Sequence, residues 1–413
     1  MKADALLERI ERDKSKIVTL CSDLVKIPSE DPPGDTREIA TFVCSLLDRH
    51  GLPYKIYAPQ SHMPNIVARI EGRERGKRLV LNGHLDTYTA GEHARWNRDP
   101  FSGEVEDGKL FGRGASDMKA GDTASIMTFL YAAEQQEHLK GELVLTLVSD
   151  EETGSQWGVK WLLANVPEFR GDALLNGEPF GPELLIFGEK GVLRLEFTSH
   201  GKAAHGAYVH LGDNAIQKMN VFLAELRSLE AMEAQPHELS HYHQAAREAI
   251  DDINGHGAAD LMERITVNVG TISGGYLVNL VPELCKAEVD IRLPLGVSTA
   301  QILRSIDAIC DKHPGIEYRI TNRLEPSWTP VDDPIVQATL RAAERVKRQK
   351  IYPSCSIAAD DAAYIRPSHI PCVLYGPRAH QMGAENEYVT VSDLIDTVGV
   401  HVLATFDFLG MLG

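Results

Sequence analysis

The chain has 413 residues, of which 43% are hydrophobic and 24% are charged, and its formal net charge is −17. This length exceeds one ordinary hydrophobic core and predicts two domains, and the composition is typical of a globular protein. Because nucleic acids and anionic membrane surfaces bind basic footprints, the acidic balance argues against both as partners.

The N-terminal segment MKADALLERIERDKSKIVTL spaces its apolar side chains like an amphipathic helix and carries many charges. It lacks the apolar core of a secretory signal, and no stretch approaches the ~18 consecutive apolar residues of a membrane span. The six cysteines, at positions 21, 44, 285, 310, 355 and 372, form no Cys-x-x-Cys pair. Scattered cysteines in a large chain without a signal are typical of reduced thiols, so we expect a cytoplasmic location.

Short apolar runs alternate with helical patterns through the first part of the chain. The predicted strands are NIVARI, RLVLNGHLD, ELVLTLVSD and ALLNGEP, and the predicted helices span 120–136 and 155–166. This alternation is typical of an α/β domain with a mixed, largely parallel sheet. Ligands bind such sheets at the carboxyl ends of the strands, which directs attention to the polar residues there.

The pattern changes at about residue 190. A strand (GVLRLEFTSHG), a helix (DNAIQKMNVFLAELRSL), two strands (RITVNVGTISGG and ELCKAEVDIRLP), a helix (STAQILRSIDAIC) and a strand (IEYRITNRLEP) follow one another. This βαββαβ order is the ferredoxin-like plan. We therefore predict an inserted α+β domain over 190–325, within a catalytic domain made of 1–189 and 326–413, where the α/β pattern resumes.

A polar, histidine-rich segment at 231–263 interrupts the predicted inserted domain. We expect it to be an insertion that consists of a loop and a helix. Its histidines, at positions 237, 241, 243 and 256, are interpreted as solvated surface side chains rather than as a metal site.

Two candidate site residues end the predicted strand RLVLNGHLD. His84 and Asp86 are two residues apart, so an extended strand places them on the same face. A metal-bound imidazole needs a partner for its other ring nitrogen, and a nearby carboxylate supplies one. Asp117 follows the glycines of LFGRGASDMKAG and precedes a helix, where it is either a plain N-cap or a site carboxylate.

The run SDEETG places Asp150, Glu151 and Glu152 directly after a predicted buried strand. Adjacent acids repel one another unless water or a cation compensates, so the run is either a solvated loop or part of a metal site. Glu178 ends another strand, and His380 lies on a loop near the C-terminus. Carboxylates with imidazole suit zinc, cobalt or manganese, and so many acids suit two ions that share a bridging carboxylate.

The order of the motifs NGHLDT, W-x-x-D-P-F, GRGASDMKAG, SDEETG, GEP, HGKAAHGA, N-x-V-P, DIR and NEYV resembles the dizinc amidohydrolase and peptidase family. That family includes aminoacylase, acetylornithine deacetylase, succinyl-diaminopimelate desuccinylase and the glutamate carboxypeptidases. The resemblance extends from about residue 20 to 400, and GRGASDMKAG with its spacing to SDEETG is its most specific part.

The resemblance implies two divalent metal ions, with zinc the expected metal and cobalt or manganese as alternatives. By the same resemblance, Asp117 is the bridging ligand, His84 and Glu178 bind one ion, and Glu152 and His380 bind the other. One departure affects this set. Many relatives read H-x-x-N-E-Y-V or close to it, but the position three before Asn386 is Gly383, and His380 lies three residues earlier still. Either the loop is remodelled and His380 still binds the metal, or that metal site is altered.

The resemblance also implies the catalytic roles. Glu151 is expected to be the general base that takes a proton from the metal-activated water, and Asp86 is expected to orient His84. Asp150 is expected to support the turn. His205 is expected to stabilise the developing oxyanion, in relatives often from the partner subunit of a dimer.

Two further residues of the predicted inserted domain are expected to contact the substrate. Asn279 matches an amide that approaches the substrate, and Arg292 matches an arginine that binds a substrate carboxylate; the alternative for Arg292 is an ordinary ion pair on a strand. We therefore expect a homodimer formed through the inserted domain and a small carboxylate-bearing substrate.

The predicted function is metal-dependent hydrolysis of the amide bond of an N-acyl amino acid or a small peptide. Two alternatives stay open at this point. One is hydrolysis of another C–N bond, such as deamination of an aromatic amine, and the other is a non-catalytic metal-binding scaffold on the same fold. The pair Glu151 and Glu152 argues against the scaffold, which has no use for a free general base.

Overall fold

The computed structural model describes residues 2–232 and 237–412. Its helices are α1 (Ala3–Arg12), α2 (Lys14–Val25), α3 (Arg37–Arg49), α4 (Ala120–Glu134), α5 (Val159–Asn165), α6 (Ala215–Leu226), α7 (Ser240–Ala245), α8 (Arg247–Asn254), α9 (Ala258–Leu261), α10 (Thr299–Cys310), α11 (Pro334–Lys347), α12 (Ala362–Ile365) and α13 (Val391–Phe408).

The strands are β1 (Tyr54–Gln60), β2 (Met63–Glu71), β3 (Glu74–His84), β4 (Val105–Glu106), β5 (Lys109–Phe111), β6 (Lys140–Val148), β7 (Ala173–Asn176), β8 (Leu184–Glu189), β9 (Gly191–His200), β10 (Ala204–His205), β11 (Thr266–Gly274), β12 (Leu280–Val281), β13 (Leu284–Leu293), β14 (Ile316–Leu324), β15 (Ser327–Trp328), β16 (Tyr352–Ser356), β17 (Cys372–Leu374) and β18 (Tyr388–Thr390).

A mixed sheet of order β1-β2-β6-β3-β7-β17-β8-β15 forms the centre of the molecule, with β16 also paired to β8. Its central strands β6, β3, β7 and β17 are mutually parallel. This confirms the predicted α/β class. The strand β8, which pairs with β17, β15 and β16, was missing from the predicted elements because LLIFGE is short and its six residues are all buried without alternation.

The centre of this sheet is covered on both faces, which explains its continuous apolar runs. The residues of β3 from Leu79 to His84 are buried, as are those of β6 from Leu143 to Val148. Helix α4 is buried along nearly its whole length because it lies between the sheet and α13. A helix that is apolar all round is typical of such an enclosed position.

The register of the parallel strands sets the position of the site. His84 at the end of β3 is level with Val148 at the end of β6, and Asn82 is level with Asn176 at the end of β7. Three adjacent strands therefore end at one edge of the sheet. The residues that follow them, including Glu152 and Glu178, are delivered to the same side of the molecule.

A second, four-stranded antiparallel sheet has the order β11-β13-β9-β14 and a core of its own. Helices α6 and α10 pack on it, and Phe197, Phe222 and Ile302 are fully buried between them. The box formed by Ser298 and Gln301 caps α10. We propose that 190–325 is an inserted ferredoxin-like domain, which the separate sheet and core support.

Helices α7, α8 and α9 belong to a different core from the rest of 190–325. Their buried side chains lie in the larger cluster, together with the central sheet; they are Ala246, Ile250, Ala258 and Ala259, with the flanking Leu239 and Met262. The histidine-rich segment is therefore helical and packs against the proposed catalytic domain, while 233–236 of the segment lie outside the described residues.

The surface interpretation fits only some of the histidines of this segment. His241 and His256 are exposed, and His237 is half-buried with its ring against Trp328. For His243 the interpretation is wrong, because it is 4% exposed and its Nδ1 lies 2.5 Å from a carboxylate oxygen of Glu263. A histidine paired with a carboxylate can be buried because the partner satisfies its ring nitrogen.

No helix among the described residues is long and apolar enough to cross a membrane. The six cysteines are free.

Candidate active site

Four of the five predicted metal ligands converge at the common edge of β3, β6 and β7. One donor atom each from His84, Asp117 and Glu152 lies within 4.8 Å of the others. The Nε2 of His84 is 3.1 Å from Asp117 Oδ1 and 3.3 Å from Glu178 Oε1. Glu151, the predicted base, is beside them, with its Oε2 4.0 Å from the same nitrogen.

Asp86 orients the ring of His84, as predicted, but it does so mainly through its main-chain oxygen rather than through its carboxylate. Its Nδ1 lies 2.9 Å from the main-chain oxygen of Asp86 and 3.6 Å from the Asp86 carboxylate. With Nδ1–H donating to that carbonyl, Nε2 faces Asp117 and Glu178 as a free donor atom. The other carboxylate oxygen of Asp86 accepts a hydrogen bond from Glu152 N at 3.0 Å, which ties the two strand ends together.

Asp150 supports the turn that carries the two glutamates, as predicted. Its carboxylate accepts hydrogen bonds from Trp157 N at 2.7 Å and Gly158 N at 2.9 Å. Its φ of +94° lies in the left-handed region that a non-glycine residue rarely adopts. These hydrogen bonds hold the strained turn and so fix Glu151 and Glu152 at the strand end.

The acids of the cluster are too close and too buried to be charged together without a compensating cation. Burial raises the pKa of Glu178 to about 8 and that of Glu152 to about 10, and the carboxylate of Asp117 reinforces both shifts. Burial likewise raises the pKa of Glu151 well above its usual range. The contacts with Asp117 and Glu178 raise the pKa of His84, although burial opposes its charge.

The side chains of this cluster are suited to binding divalent cations. Glu178 is 5% exposed and its Oε1 accepts no hydrogen bond from the described residues. Buried carboxylate oxygens without donors are costly, and a divalent ion between them and the imidazole removes that cost. Oxygen and imidazole donors suit zinc, cobalt and manganese.

Glu387, in the NEYV motif, anchors the loop that carries Asp117. It is 1% exposed, and its carboxylate accepts hydrogen bonds from Arg113 Nη1 at 2.6 Å, from Ser116 N at 3.0 Å and from Asp117 N at 3.2 Å. The sequence pattern around Glu387 did not predict this role. The small residues of GRGAS leave main-chain N–H groups without side chains to cover them, and such groups need an acceptor. An acid in another motif of the sequence, here Glu387, was the only indication of which residue could be that acceptor.

Two further acids next to the cluster were also missed. Asp361 accepts hydrogen bonds from Asn82 Nδ2 at 3.1 Å and Ser155 Oγ at 2.5 Å, so it connects β3 to the turn after β6. Asp360 is 7% exposed and lines the space in front of the cluster. Neither belongs to a motif with a recognisable spacing.

His380 lies apart from the other predicted ligands. Its ring stacks on that of Tyr388, with centroids 4.4 Å apart, and it is not part of the group of donors around His84. Partial burial lowers its pKa, so the imidazole is neutral at physiological pH. Its neighbours Ala379 and Met382 line the cavity in front of the acids, so the loop borders the site.

Arg292 lines a cleft of 570 Å³ between the catalytic sheet and the four-stranded sheet. Glu151 and Glu152 form one part of that cleft, and Lys160 and Arg194 also line it. The Nε of Arg292 donates to Asp290 Oδ1 at 2.7 Å, so the predicted alternative of an ion pair is present as well. The two roles are compatible because a guanidinium has five N–H donors.

His205 and Asn279 are neighbours, but neither is among the residues that line the cleft. The main-chain N–H of Gly206 donates to Asn279 O at 2.7 Å, and β10 pairs with β12. His205 is exposed and its Nδ1 accepts a hydrogen bond from Ala207 N. Exposed apolar side chains surround this corner; they are Tyr208, Val209, Leu211, Tyr276, Leu277 and Val278.

Known proteins resemble this chain over most of its length. The model of peptidase family M20/M25/M40 matches residues 80–406. A succinyl-diaminopimelate desuccinylase of Cereibacter sphaeroides is 30% identical over 401 residues, which cover 91% of this chain and 94% of that protein.

Solved structures share the fold. An M20 family metallo-carboxypeptidase of Sulfolobus solfataricus superposes with a TM-score of 0.81 at 19% identity, over 96% of this chain and 99% of the other. A dinuclear metal-binding M20 peptidase of Bacillus subtilis superposes with a TM-score of 0.65 at 16% identity, over 96% of this chain and 99% of that one.

Proposed function

The chain belongs to peptidase family M20/M25/M40 and is therefore a hydrolase of amide bonds, and from this premise we propose its substrate and mechanism. The substrate is an N-acyl amino acid or a small peptide that bears a carboxylate. Hydrolysis uses a metal-activated water, with Glu151 as general base. The observation that carries the proposal is the convergence of His84, Asp117, Glu152 and Glu178 beside Glu151.

Two divalent ions fit this site, with zinc as the proposed metal and cobalt or manganese as substitutes. His84 and Glu178 would hold one ion, and Glu152 and His380 would hold the other. Asp117 would contribute to holding both. When bound, such ions polarise the scissile carbonyl and lower the pKa of the attacking water. For His380 this requires the loop around it to leave the stacked position on Tyr388, which the exposure of Gln381–Ala384 permits.

Glu151 is suited to hold and return a proton. It lies beside the donor group without being one of the three clustered ligands, and it lines both the cleft and the cavity in front of the acids. A carboxylate in this position takes the proton of the attacking water and delivers it to the departing amine nitrogen. Its buried surroundings favour the protonated form that the second step needs.

Arg292 is proposed to bind the substrate carboxylate in the cleft. Lys160 and Arg194 line the same space, so an anionic group there meets three cationic side chains. A planar guanidinium forms two parallel hydrogen bonds to a carboxylate, which fixes the direction of the substrate as well as its charge. Asp290 accepts hydrogen bonds from Nε and Nη2 of Arg292 and so holds its guanidinium in place.

We propose a homodimer in which the partner chain supplies His205 and Asn279. Both lie at an exposed apolar corner and neither lines the cleft of its own chain. The edge strand β11 adjoins this corner, and an unpaired edge is a template for pairing with a second copy. In such a dimer the imidazole of His205 would donate a hydrogen bond to the developing oxyanion. The cytoplasmic location stays a prediction from the sequence.

Release of free amino acid from a panel of N-acetyl, N-butanoyl, N-succinyl and dipeptide substrates tests the proposal. We expect turnover that is abolished by chelation and restored by zinc, cobalt or manganese. Ammonia release from aromatic amines, with no hydrolysis of any amide by the metal-loaded protein, would instead support the deamination alternative.

A further inference from the structure

Two cavities meet at the acids, and they differ in charge. The cleft of 570 Å³ contains Lys160, Arg194 and Arg292. A second cavity of 250 Å³, called here the apolar pocket, shares Glu151, Glu152 and Asp360 with the cleft. It also contains Glu178 and Asp117, so it opens directly on the ligand cluster.

Most of the remaining wall of the apolar pocket is hydrophobic. Its main side chains are Phe180, Ile186, Ile253, Ile357 and Met382, with Met262 behind them. No lysine or arginine is among the described residues that line it. Besides the proposed ligands and the proposed base, one more acid among the described residues lines the pocket, namely Asp360. Its Oδ2 accepts no hydrogen bond from described residues. The described lining of the pocket therefore offers no cation to an anionic group; its donors are the uncharged side chains of Tyr88, Asn254 and Ser356.

Part of this wall comes from the helical segment α7–α9, which is firmly attached to the catalytic core. Ile253 of α8 packs on Gly181, where an added Cβ would lie 2.5 Å from its Cδ1. The neighbouring Asp252 accepts a hydrogen bond from Arg378 Nη2 at 2.5 Å. These contacts fix the side of α8 that faces the pocket.

The C-terminal end of the segment is attached as well. Lys190 Nζ donates hydrogen bonds of 2.6 Å to the main-chain oxygens of Leu261 and Arg264, on either side of Met262. Met262 is 2% exposed, so its position is set by packing. The apolar wall is thus a fixed surface rather than a loose loop.

We propose that the apolar pocket is the acyl site and that Phe180, Ile253 and Met262 select an uncharged, apolar acyl group over a dicarboxylic one such as succinyl. This rests on the proposed function. With the amide carbon at the acids and the amino-acid carboxylate at Arg292 in the cleft, the acyl chain extends into the apolar pocket. This proposed preference differs from the succinyl group that is named in the succinyl-diaminopimelate desuccinylase of Cereibacter sphaeroides.

The physical reason is the cost of an unpaired buried charge. The distal carboxylate of a succinyl group would leave water, face Asp360 and find no cation. A butanoyl group has the same chain with a methyl in place of that carboxylate, so it gains apolar contact at no such cost. One extra methylene in a hydrophobic pocket changes kcat/KM by about 10-fold or more.

The matched pair N-butanoyl and N-succinyl on the same amino acid tests the proposal with the zinc-loaded full chain. We expect kcat/KM for the butanoyl substrate to exceed that for the succinyl substrate by about 100-fold, and that for the acetyl substrate by about 10-fold or more. A succinyl substrate that is hydrolysed as well as or better than the butanoyl one would overturn the proposal while leaving amide hydrolysis intact. Absence of hydrolysis of every amide would refute the proposed function and this inference with it.

A charge placed in the wall gives a second test. Ile253→Arg introduces a cation at the pocket and should lower the butanoyl-to-succinyl ratio by about 10-fold or more. Leu261→Arg is the matched control, because Leu261 is on the same segment, is 39% exposed and does not line the pocket. The control should keep the native ratio.

If Ile253→Arg does not fold, Ile253→Ala serves instead. It should lower kcat/KM for the butanoyl substrate by about 10-fold and leave that for the acetyl substrate within about 2-fold. Equal losses for both substrates, or no loss for either, would exclude Ile253 from the acyl site.

Discussion

The strand-end cluster and the C-terminal loop at 376–388 both contribute to the site, but they are held in different ways. His84 and Glu178 follow adjacent parallel strands whose register places them level with each other. The C-terminal loop is fixed near its ends, by Tyr375, Arg378 and Glu387, whereas 381–384 in its middle are exposed. A sheet edge thus determines ligand positions in advance, while the loop can adjust when an ion or substrate binds.

The difference explains why four of the proposed ligands converge and the fifth, His380, is not part of their group. Each acid of the cluster has a hydrogen bond or strand that fixes its main chain, as Asp86 does for Glu152. The main-chain oxygen of His380 accepts a hydrogen bond from Tyr388 N at 3.3 Å, but its ring stacks on that of Tyr388 rather than facing the cluster. Substitutions in the two regions should therefore have different consequences.

The largest effect is expected inside the cluster, for Glu151→Gln. The amide cannot accept the proton of the attacking water, so kcat should fall by about 1,000-fold or more. Metal content should be unchanged, because Glu151 is not one of the proposed ligands. Steady-state rates with parallel metal analysis check this, and a near-normal rate with full metal would exclude Glu151 as the base.

In the loop, His380→Ala should lower the metal content of the purified protein from about two ions per chain to about one. The remaining ion is expected at His84 and Glu178, which the sheet edge holds in place. Metal analysis by mass spectrometry measures the change. Equal metal content in the variant and the native protein would show that another group completes the second position.

Glu387→Gln should weaken metal binding by about 10- to 100-fold, because the loop that presents Asp117 loses its charged acceptor. Glu385→Gln is the control two residues away, since the carboxylate of Glu385 contacts Arg95 at the surface rather than the buried loop of Asp117. Zinc competition titrations compare the two variants. An equal loss in both would mean that the loop as a whole, rather than the buried anchor, governs affinity.

The smallest effect is expected at the base of the loop, where His401 Nε2 lies 2.8 Å from Tyr375 O. Burial lowers the pKa of His401 to about 4, whereas an unfolded histidine has a pKa of about 6.5. The unfolded state therefore binds more protons between these values, and stability is lost as the pH falls from about 6.5 to 4, by about 3 kcal/mol in total.

His401→Gln removes this titration. Urea unfolding at pH 7 and pH 4.5 should show a smaller acid destabilisation in the variant than in the native protein. An identical pH dependence would show that His401 is not the titrating group.

The residues at the strand ends were predicted from the sequence, whereas residues that act through distant contacts were not. Strand ends such as NGHLD and SDEETG are recognisable, because apolar runs mark the strands and acids mark their ends. Glu387 and Asp361 act through contacts with residues more than 200 positions away, and no local pattern reveals such pairs. Likewise, the polar sequence of 240–262 predicted a loop and a helix but not the packing of this segment against the central sheet, which only a few apolar side chains provide.

The claim that the strand-end acids form a two-metal centre is tested most directly by counting the ions in the native protein and in Asp117→Asn. Both proteins are loaded with zinc, dialysed and analysed under the same conditions. We predict about two ions per native chain and almost none in the variant, because both positions share this carboxylate. Fewer than two ions in the native protein, or two retained after loss of the Asp117 charge, would contradict the account.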